Sequence, residues 1–119
     1  MRNFEYGIIT GERAKFIEEL YNRLTTCELN GVDRVVLFGS VARNDYTVKS
    51  DYDFAVISDS ITQAKVMRSR GFDEVHSLVV DVLDAGVSSV CDILSFGVNS
   101  KCCDLLEEIE KDGVILYAR

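Results

Sequence analysis

Apolar side chains at the start of the chain repeat with a helical period. From residue 12 to about residue 27 they recur every three or four positions, which predicts a first helix with Thr10 as its N-cap. The apolar stripe of this helix consists of Phe16, Ile17, Leu20, Tyr21 and Leu24. Asn30 and Gly31 follow, a pair typical of the chain beyond a helix end.

Four apolar runs farther along predict β-strands. They cover residues 34–38, 51–57, 90–96 and 114–117. The first is continuously apolar after Arg34, which is typical of a central buried strand. The second alternates, so Asp51 and Asp53 should share one face, and Tyr52, Phe54 and Val56 the other.

Helical patterns separate these strands. A short helical turn is predicted at 41–43, and longer helices at 61–68, 72–85 and 100–111. Helices and strands that alternate in this order predict an α/β (α+β) fold. We expect one domain over residues 1–119, with a mixed sheet of about four strands and helices mainly on one side.

Charge and hydropathy narrow the class of protein. The 119 residues carry a formal net charge of −7, so we expect no broad nucleic-acid-binding surface, which would need clustered Lys and Arg. No apolar run is long enough to span a bilayer, and the first residues lack the apolar core of a signal peptide. These features predict a cytoplasmic protein without a membrane segment.

Two carboxylates at the start of the second strand are the first candidate for chemistry. Asp51 and Asp53 would lie about 6–7 Å apart on one face and repel each other by about 2–3 kcal/mol at an effective dielectric near 20. Either water screens a polar strand start at the sheet edge, or divalent cations bind there. Mg²⁺ favours carboxylate oxygens together with substrate phosphates.

A Gly-Ser pair follows the first strand. Gly39 permits a tight turn and a close approach of backbone to a ligand, and Ser40 offers a hydroxyl and an N–H where a helix begins. These groups suit a phosphate. The alternative is an ordinary strand-to-helix turn with Ser40 as the N-cap.

Together the two elements resemble a known motif. Gly39 and Ser40 are followed by ten residues and then by Asp51-Tyr52-Asp53, with Ala42, Arg43 and Ser50 at the remaining matching positions. The minimal nucleotidyltransferases of the DNA polymerase β superfamily, including the MntA-like antitoxins, carry GSxARGxxxxxSDxD. The chain resembles this family over most of its length, although only the motif is specific. The resemblance implies a nucleotidyltransferase-like sheet.

The resemblance also implies an activity and a set of roles. It implies that Gly39, Ser40 and Arg43 bind the phosphates of ATP or another nucleoside triphosphate. Asp51 and Asp53 would coordinate Mg²⁺, in a two-ion site that supports transfer of a nucleoside monophosphate and release of pyrophosphate. For Arg43 the sequence leaves a second interpretation open, in which it only pairs with acidic neighbours.

The family has a third carboxylate on a neighbouring strand. Asp92 fits this role because it interrupts an otherwise apolar strand, where an unpaired charge would be costly. It would complete the metal site and accept the acceptor's proton. The alternatives are that Asp92 points to solvent, or that Asp81 on the preceding helix is the third carboxylate. An Asp at that helical position is more typical of a solvated face.

One position departs from the motif. Asn44 stands where the family has glycine. Asn is the residue other than glycine that best tolerates left-handed backbone, so the turn should survive.

The acceptor must be inferred from the resemblance. Many small family members are antitoxins paired with helical HEPN-type proteins, and some transfer AMP to a tyrosine of that partner. Two alternatives stay open: a binding module that neutralises a partner by contact alone, and an enzyme that modifies a small molecule at a homo-oligomer interface.

Overall fold

The computed structural model describes residues 1–83, 91–100 and 104–119, in which a five-stranded mixed sheet is the central element. The strands are β1 (Arg2–Asn3), β2 (Arg34–Phe38), β3 (Tyr52–Ile57), β4 (Cys91–Phe96) and β5 (Val114–Ala118). Their spatial order is β1-β5-β2-β3-β4, so β2 is central and β4 lies at an edge. β2 pairs antiparallel with β3 and β5, whereas β1–β5 and β3–β4 are parallel pairs.

The mixed sheet was predicted with one strand fewer. β1 was missed because it has only two residues, both exposed, so it carries no apolar pattern. The predicted bounds of β2 are confirmed, while β3 begins one residue later than predicted, after Asp51. The predicted start of β4 at residue 90 lies outside the described residues.

Five α-helices and one 3₁₀ turn occur in these three segments of the chain. The 3₁₀ turn spans Gly11–Arg13, and the helices are α1 (Ala14–Leu24), α2 (Gly39–Arg43), α3 (Gln63–Met67), α4 (Arg70–Leu83) and α5 (Asp104–Asp112). Residues 101–103, near the predicted start of the last helix, are outside the described residues. No described helix combines the length and apolar character of a membrane span.

The first helix ends three residues earlier than predicted, and Thr10 does not cap it. Thr25 and Thr26 bend their hydroxyls back to main-chain oxygens of the last turn, where they compete with continued helix. Thr10 does precede the 3₁₀ turn, but its side chain makes no capping hydrogen bond.

α1 and α4 pack on one face of the sheet. The larger hydrophobic core lies there, where Ile17 and Leu20 of α1 pack with Val75 and Val79 of α4. Tyr52, Phe54 and Val56 of β3 point into this core, as the alternation predicted.

α5 covers the opposite face. Its Ile109 packs in a smaller core with Val36, Ala55 and Phe96. Because side chains alternate along β3, Asp53 points to the α5 side of the sheet, whereas its two neighbours in sequence point into the larger core.

Candidate active site

The turn after β2 brings backbone directly against a carboxylate. Gly39 has φ +79°, a left-handed conformation that side chains rarely adopt. A Cβ atom on Gly39 would lie 2.5 Å from Oδ2 of Asp53, so the carboxylate fills the space that a side chain would need. Glycine is therefore required for both the backbone conformation and the contact.

Asp53 and Asp92 lie side by side on neighbouring strands. They are register partners in the parallel β3–β4 pair, so their side chains leave the same face of the sheet. The packing agrees, because Phe96, four residues after Asp92, joins the core on the α5 side with Ala55 and Ile57. Asp92 is exposed, and Asp53 is partly buried.

Asp51 lies one residue before β3 and is exposed. Its negative charge acts on Asp53 and raises the pKa of that carboxyl group. Asp53 and Asp92 are thus paired near the Gly39 turn at one end of the sheet, and Asp51 precedes β3 at the same end.

The pKa of Asp53 is raised from its ordinary value of 3.8 to about 6. Burial is the largest cause, followed by the charges of Asp92, Asp51 and Glu108, and the Arg43 guanidinium partly offsets them by lowering the pKa. The site thus gathers more negative charge than nearby cations balance, and a bound cation would relieve the repulsion.

The donor set suits Mg²⁺, which prefers carboxylate oxygens. Within residues 1–83, 91–100 and 104–119, no three or more His, Cys, Asp or Glu side chains are already arranged around a metal position. Asp51 and Asp92 are exposed, so their carboxylates would have to turn toward Asp53 for the three to share an ion, with no rearrangement of the strands. The residues fit the ion on this basis.

Arg43, at the end of α2, is turned toward α5. Its Nε donates to Asp45 at 3.1 Å, and its Nη1 donates to Glu108 at 3.0 Å and lies 3.8 Å from Asp112. Of the two interpretations of Arg43, pairing with acidic neighbours is the one this structure displays. The sequence did not predict Glu108 and Asp112 as partners of Arg43, because the charged residues of this helix face are typical of a solvated surface. Their four-residue spacing, which places them on one side of the helix, was the one feature that could have indicated a shared contact.

Asn44 adopts the left-handed conformation that the sequence predicted, with φ 60° and ψ 24°. Its side chain also makes contacts that glycine could not. Oδ1 accepts hydrogen bonds from the Thr10 backbone N–H at 2.8 Å and from the Thr10 hydroxyl at 3.3 Å, while Nδ2 donates to the Ile8 carbonyl at 2.7 Å. Asn44 therefore ties the turn after α2 to the segment before α1.

Substitutions of Asn44 should separate backbone strain from these hydrogen bonds. Asn44→Gly keeps the left-handed turn and should cost about 1 kcal/mol of unfolding free energy through the lost bonds. Asn44→Val adds the strain of a β-branched residue in that conformation and should cost about 2–3 kcal/mol. Urea unfolding of both variants measures the difference, and equal losses would contradict the assigned strain.

Arg13 packs against the loop between the Gly-Ser turn and Asp51. The sequence did not predict this contact. Its side chain is 4% exposed, with the guanidinium carbon 4.6 Å from the Tyr52 ring centroid and 5.3 Å from that of Tyr46. Its Nη2 donates to the Thr47 carbonyl at 3.3 Å. Arginine is mostly found on protein surfaces, and nothing in the sequence around Arg13 predicts that it is buried.

The alternative third carboxylate lies apart from this cluster. Asp81 is exposed on α4, the helix that packs on the opposite face of the sheet from Asp53. Asp81 is thus not placed to act with Asp51 and Asp53.

Comparisons with known proteins identify the family of this chain. The family model described as "Nucleotidyltransferase domain" matches residues 14–116. The chain therefore belongs to the nucleotidyltransferase domain family.

Similar proteins include one sequence relative and two solved structures. A Methanocaldococcus jannaschii protein named "Putative protein adenylyltransferase" is 40% identical over 45 residues, which is 38% of this chain and 45% of the relative. A toxin–antitoxin structure with AMP-PNP has a TM-score of 0.52 at 20% identity, over 88% of this chain and 73% of that one. A mutant of the toxin–antitoxin MntA-HpeT has a TM-score of 0.50 at 18% identity, over 88% and 72%. Both structures share the fold.

Proposed function

We propose that this chain transfers AMP from ATP to a hydroxyl group in a Mg²⁺-dependent reaction. We further propose that the acceptor is a tyrosine of a HEPN-type toxin, so that the chain acts as an antitoxin. The observation that carries the proposal is the placement of Asp53 and Asp92 as register partners on one sheet face, with Asp53 against Gly39.

Each residue of the cluster receives a role in this proposal. Gly39 and Ser40 bind the outer phosphates, through the close backbone approach that glycine permits and through the Ser40 hydroxyl. Asp51, Asp53 and Asp92 would hold Mg²⁺, which when bound supplies charge neutralisation at the phosphate oxygens.

The chemical step is an in-line displacement at phosphorus. The acceptor hydroxyl oxygen attacks the α-phosphorus, and the bond from that phosphorus to the bridging oxygen of the β-phosphate breaks. Pyrophosphate leaves with the electron pair, and Asp92 accepts the hydroxyl proton. Asp92 suits this role because it is exposed on the edge strand, where an acceptor can reach it.

Two observations support a protein acceptor. Two of the three carboxylates are exposed, and Asp92 lies on an edge strand, so a second polypeptide can complete the acceptor site. The sequence relative carries the name of a protein adenylyltransferase, and the two solved neighbours are toxin–antitoxin structures.

The experiment combines the chain with Mg²⁺, ATP labelled at the α-phosphate, and a HEPN-type toxin as the acceptor. We expect label on that protein with the wild type and with Asp81→Asn, which removes one exposed charge from α4. Asp92→Asn should not transfer label. A wild type that transfers no label contradicts the enzymatic proposal. If the wild type transfers label and Asp92→Asn neutralises the toxin equally well without transfer, the antitoxin role rests on contact alone.

A further inference from the structure

The carboxylates around Arg43 carry more negative charge than its single positive charge balances. Its guanidinium pairs with Asp45 at 3.1 Å and Glu108 at 3.0 Å, and Asp112 lies 3.8 Å away. Glu108 and Asp112, four residues apart on α5, form what we call the α5 carboxylate pair. The three carboxylates together carry two more negative charges than the Arg43 guanidinium balances.

The position of Arg43 makes this surplus relevant to nucleotide binding. Arg43 follows Ser40 by three residues within α2, so the two share one side of that helical turn, directly after the left-handed Gly39. Its charge already reaches Asp53, since it lowers the pKa of that carboxyl group, while Glu108 raises it. A phosphate chain held at Gly39 and Ser40 would therefore lie within reach of Arg43, and it would be repelled by the α5 carboxylate pair.

We propose that Glu108 and Asp112 are positioning residues that set the affinity for nucleotide through Arg43: the polyphosphate must displace them from the guanidinium in order to bind. This inference rests on the proposed function and adds Glu108 and Asp112, which have no role in that function as stated above. Phosphate can replace Glu108 at the guanidinium because solvent-exposed ion pairs are weak. The Arg43 side chain is 35% exposed and that of Glu108 is 41% exposed. A phosphate group can accept two parallel hydrogen bonds from the guanidinium, whereas Asp45 and Glu108 each accept only one from Arg43.

The test measures affinity for a fluorescent, non-hydrolysable ATP analogue with Mg²⁺ at fixed ionic strength. Glu108→Gln removes one of the three carboxylate charges around Arg43 and should tighten binding roughly three- to tenfold. Glu107→Gln is the matched control, because it removes the same charge from an exposed neighbouring position on α5. Its effect should stay below about twofold, since exposed charges are largely screened.

A second background tests whether the effect passes through Arg43. In an Arg43→Gln protein, Glu108→Gln should no longer tighten binding beyond the change that Glu107→Gln produces. Thermal unfolding without nucleotide serves as a check on structure, and Glu108→Gln should leave the melting temperature unchanged or slightly lower. With that result, a gain in stability of the folded protein would not explain the tighter binding of nucleotide.

The outcomes distinguish this inference from the proposed function. Wild-type binding that Glu108→Gln leaves unchanged, or weakens, overturns the role of the α5 carboxylate pair and leaves the proposed function standing. Absence of nucleotide binding in the wild type and in every variant overturns both.

Discussion

Replacing Gly39 with alanine is expected to reduce nucleotidyl transfer about a hundredfold or more and to lower the unfolding free energy by about 2–3 kcal/mol. The stability loss has two sources, the strain of a side chain at φ +79° and the contact that its Cβ would make 2.5 Å from Oδ2 of Asp53. Relief of that contact requires the Asp53 carboxylate to move away from the turn. Displacement of a group by about 1 Å is enough to cost two orders of magnitude in rate.

Gly7 provides a matched control for this substitution. It also has a left-handed conformation, with φ +94°, but a Cβ there would meet nothing within 4 Å. Gly7→Ala should therefore show the strain alone, about 1 kcal/mol, with transfer unaffected. Chemical unfolding and initial-rate measurements on both variants separate strain from displacement. Transfer by Gly39→Ala at the rate of Gly7→Ala would show that the Asp53 contact with the turn is unimportant.

The alternation along β3 carried most of what the sequence could predict about the site. Apolar Tyr52, Phe54 and Val56 had to face a core, which fixed Asp53 on the other side of the strand. For β4 the sequence predicted the strand but not which of its side chains face each side of the sheet. The register that sets Asp92 opposite Asp53 comes from long-range pairing, which a single strand's pattern does not encode.

The residues missed by the sequence are those whose roles depend on distant partners. Arg13 is buried because the loop after α2 folds over it, and nothing in its own neighbourhood marks it. Glu108 contacts Arg43 across 65 positions of sequence. Asn44 was the opposite case, because its left-handed conformation follows from local chemistry and was predicted from residue type alone.

Replacing Asp53 with asparagine should abolish transfer, by at least about a thousandfold, and at the same time stabilise the folded protein above pH 6. The pKa of Asp53 is about 6 in the folded protein and near 3.8 when unfolded. Between these values the folded state binds more protons than the unfolded state, so stability falls as pH rises through this window. Asparagine is uncharged at every pH and avoids this loss.

The size of the gain depends on solvent screening. A shift of about two pKa units corresponds to about 3 kcal/mol, which partial exposure of Asp53 reduces to about 1–2 kcal/mol. Urea unfolding in EDTA, without nucleotide, should show this advantage for Asp53→Asn at pH 7.5 and no advantage at pH 4. Asp81→Asn controls for the change in net charge. If Asp53→Asn is no more stable than Asp81→Asn at pH 7.5, burial and the neighbouring negative charges do not raise the pKa of Asp53.

Added Mg²⁺ extends the same measurement to metal binding. Burial and the neighbouring carboxylates raise the pKa of Asp53, and an ion held by Asp51, Asp53 and Asp92 would offset the second cause. Mg²⁺ should therefore stabilise the wild type and reduce the stability advantage of Asp53→Asn. Asp81→Asn should respond to Mg²⁺ as the wild type does, because it leaves the three carboxylates intact. A wild type whose stability at pH 7.5 does not depend on Mg²⁺ up to millimolar concentration would argue that these carboxylates bind the ion only together with nucleotide.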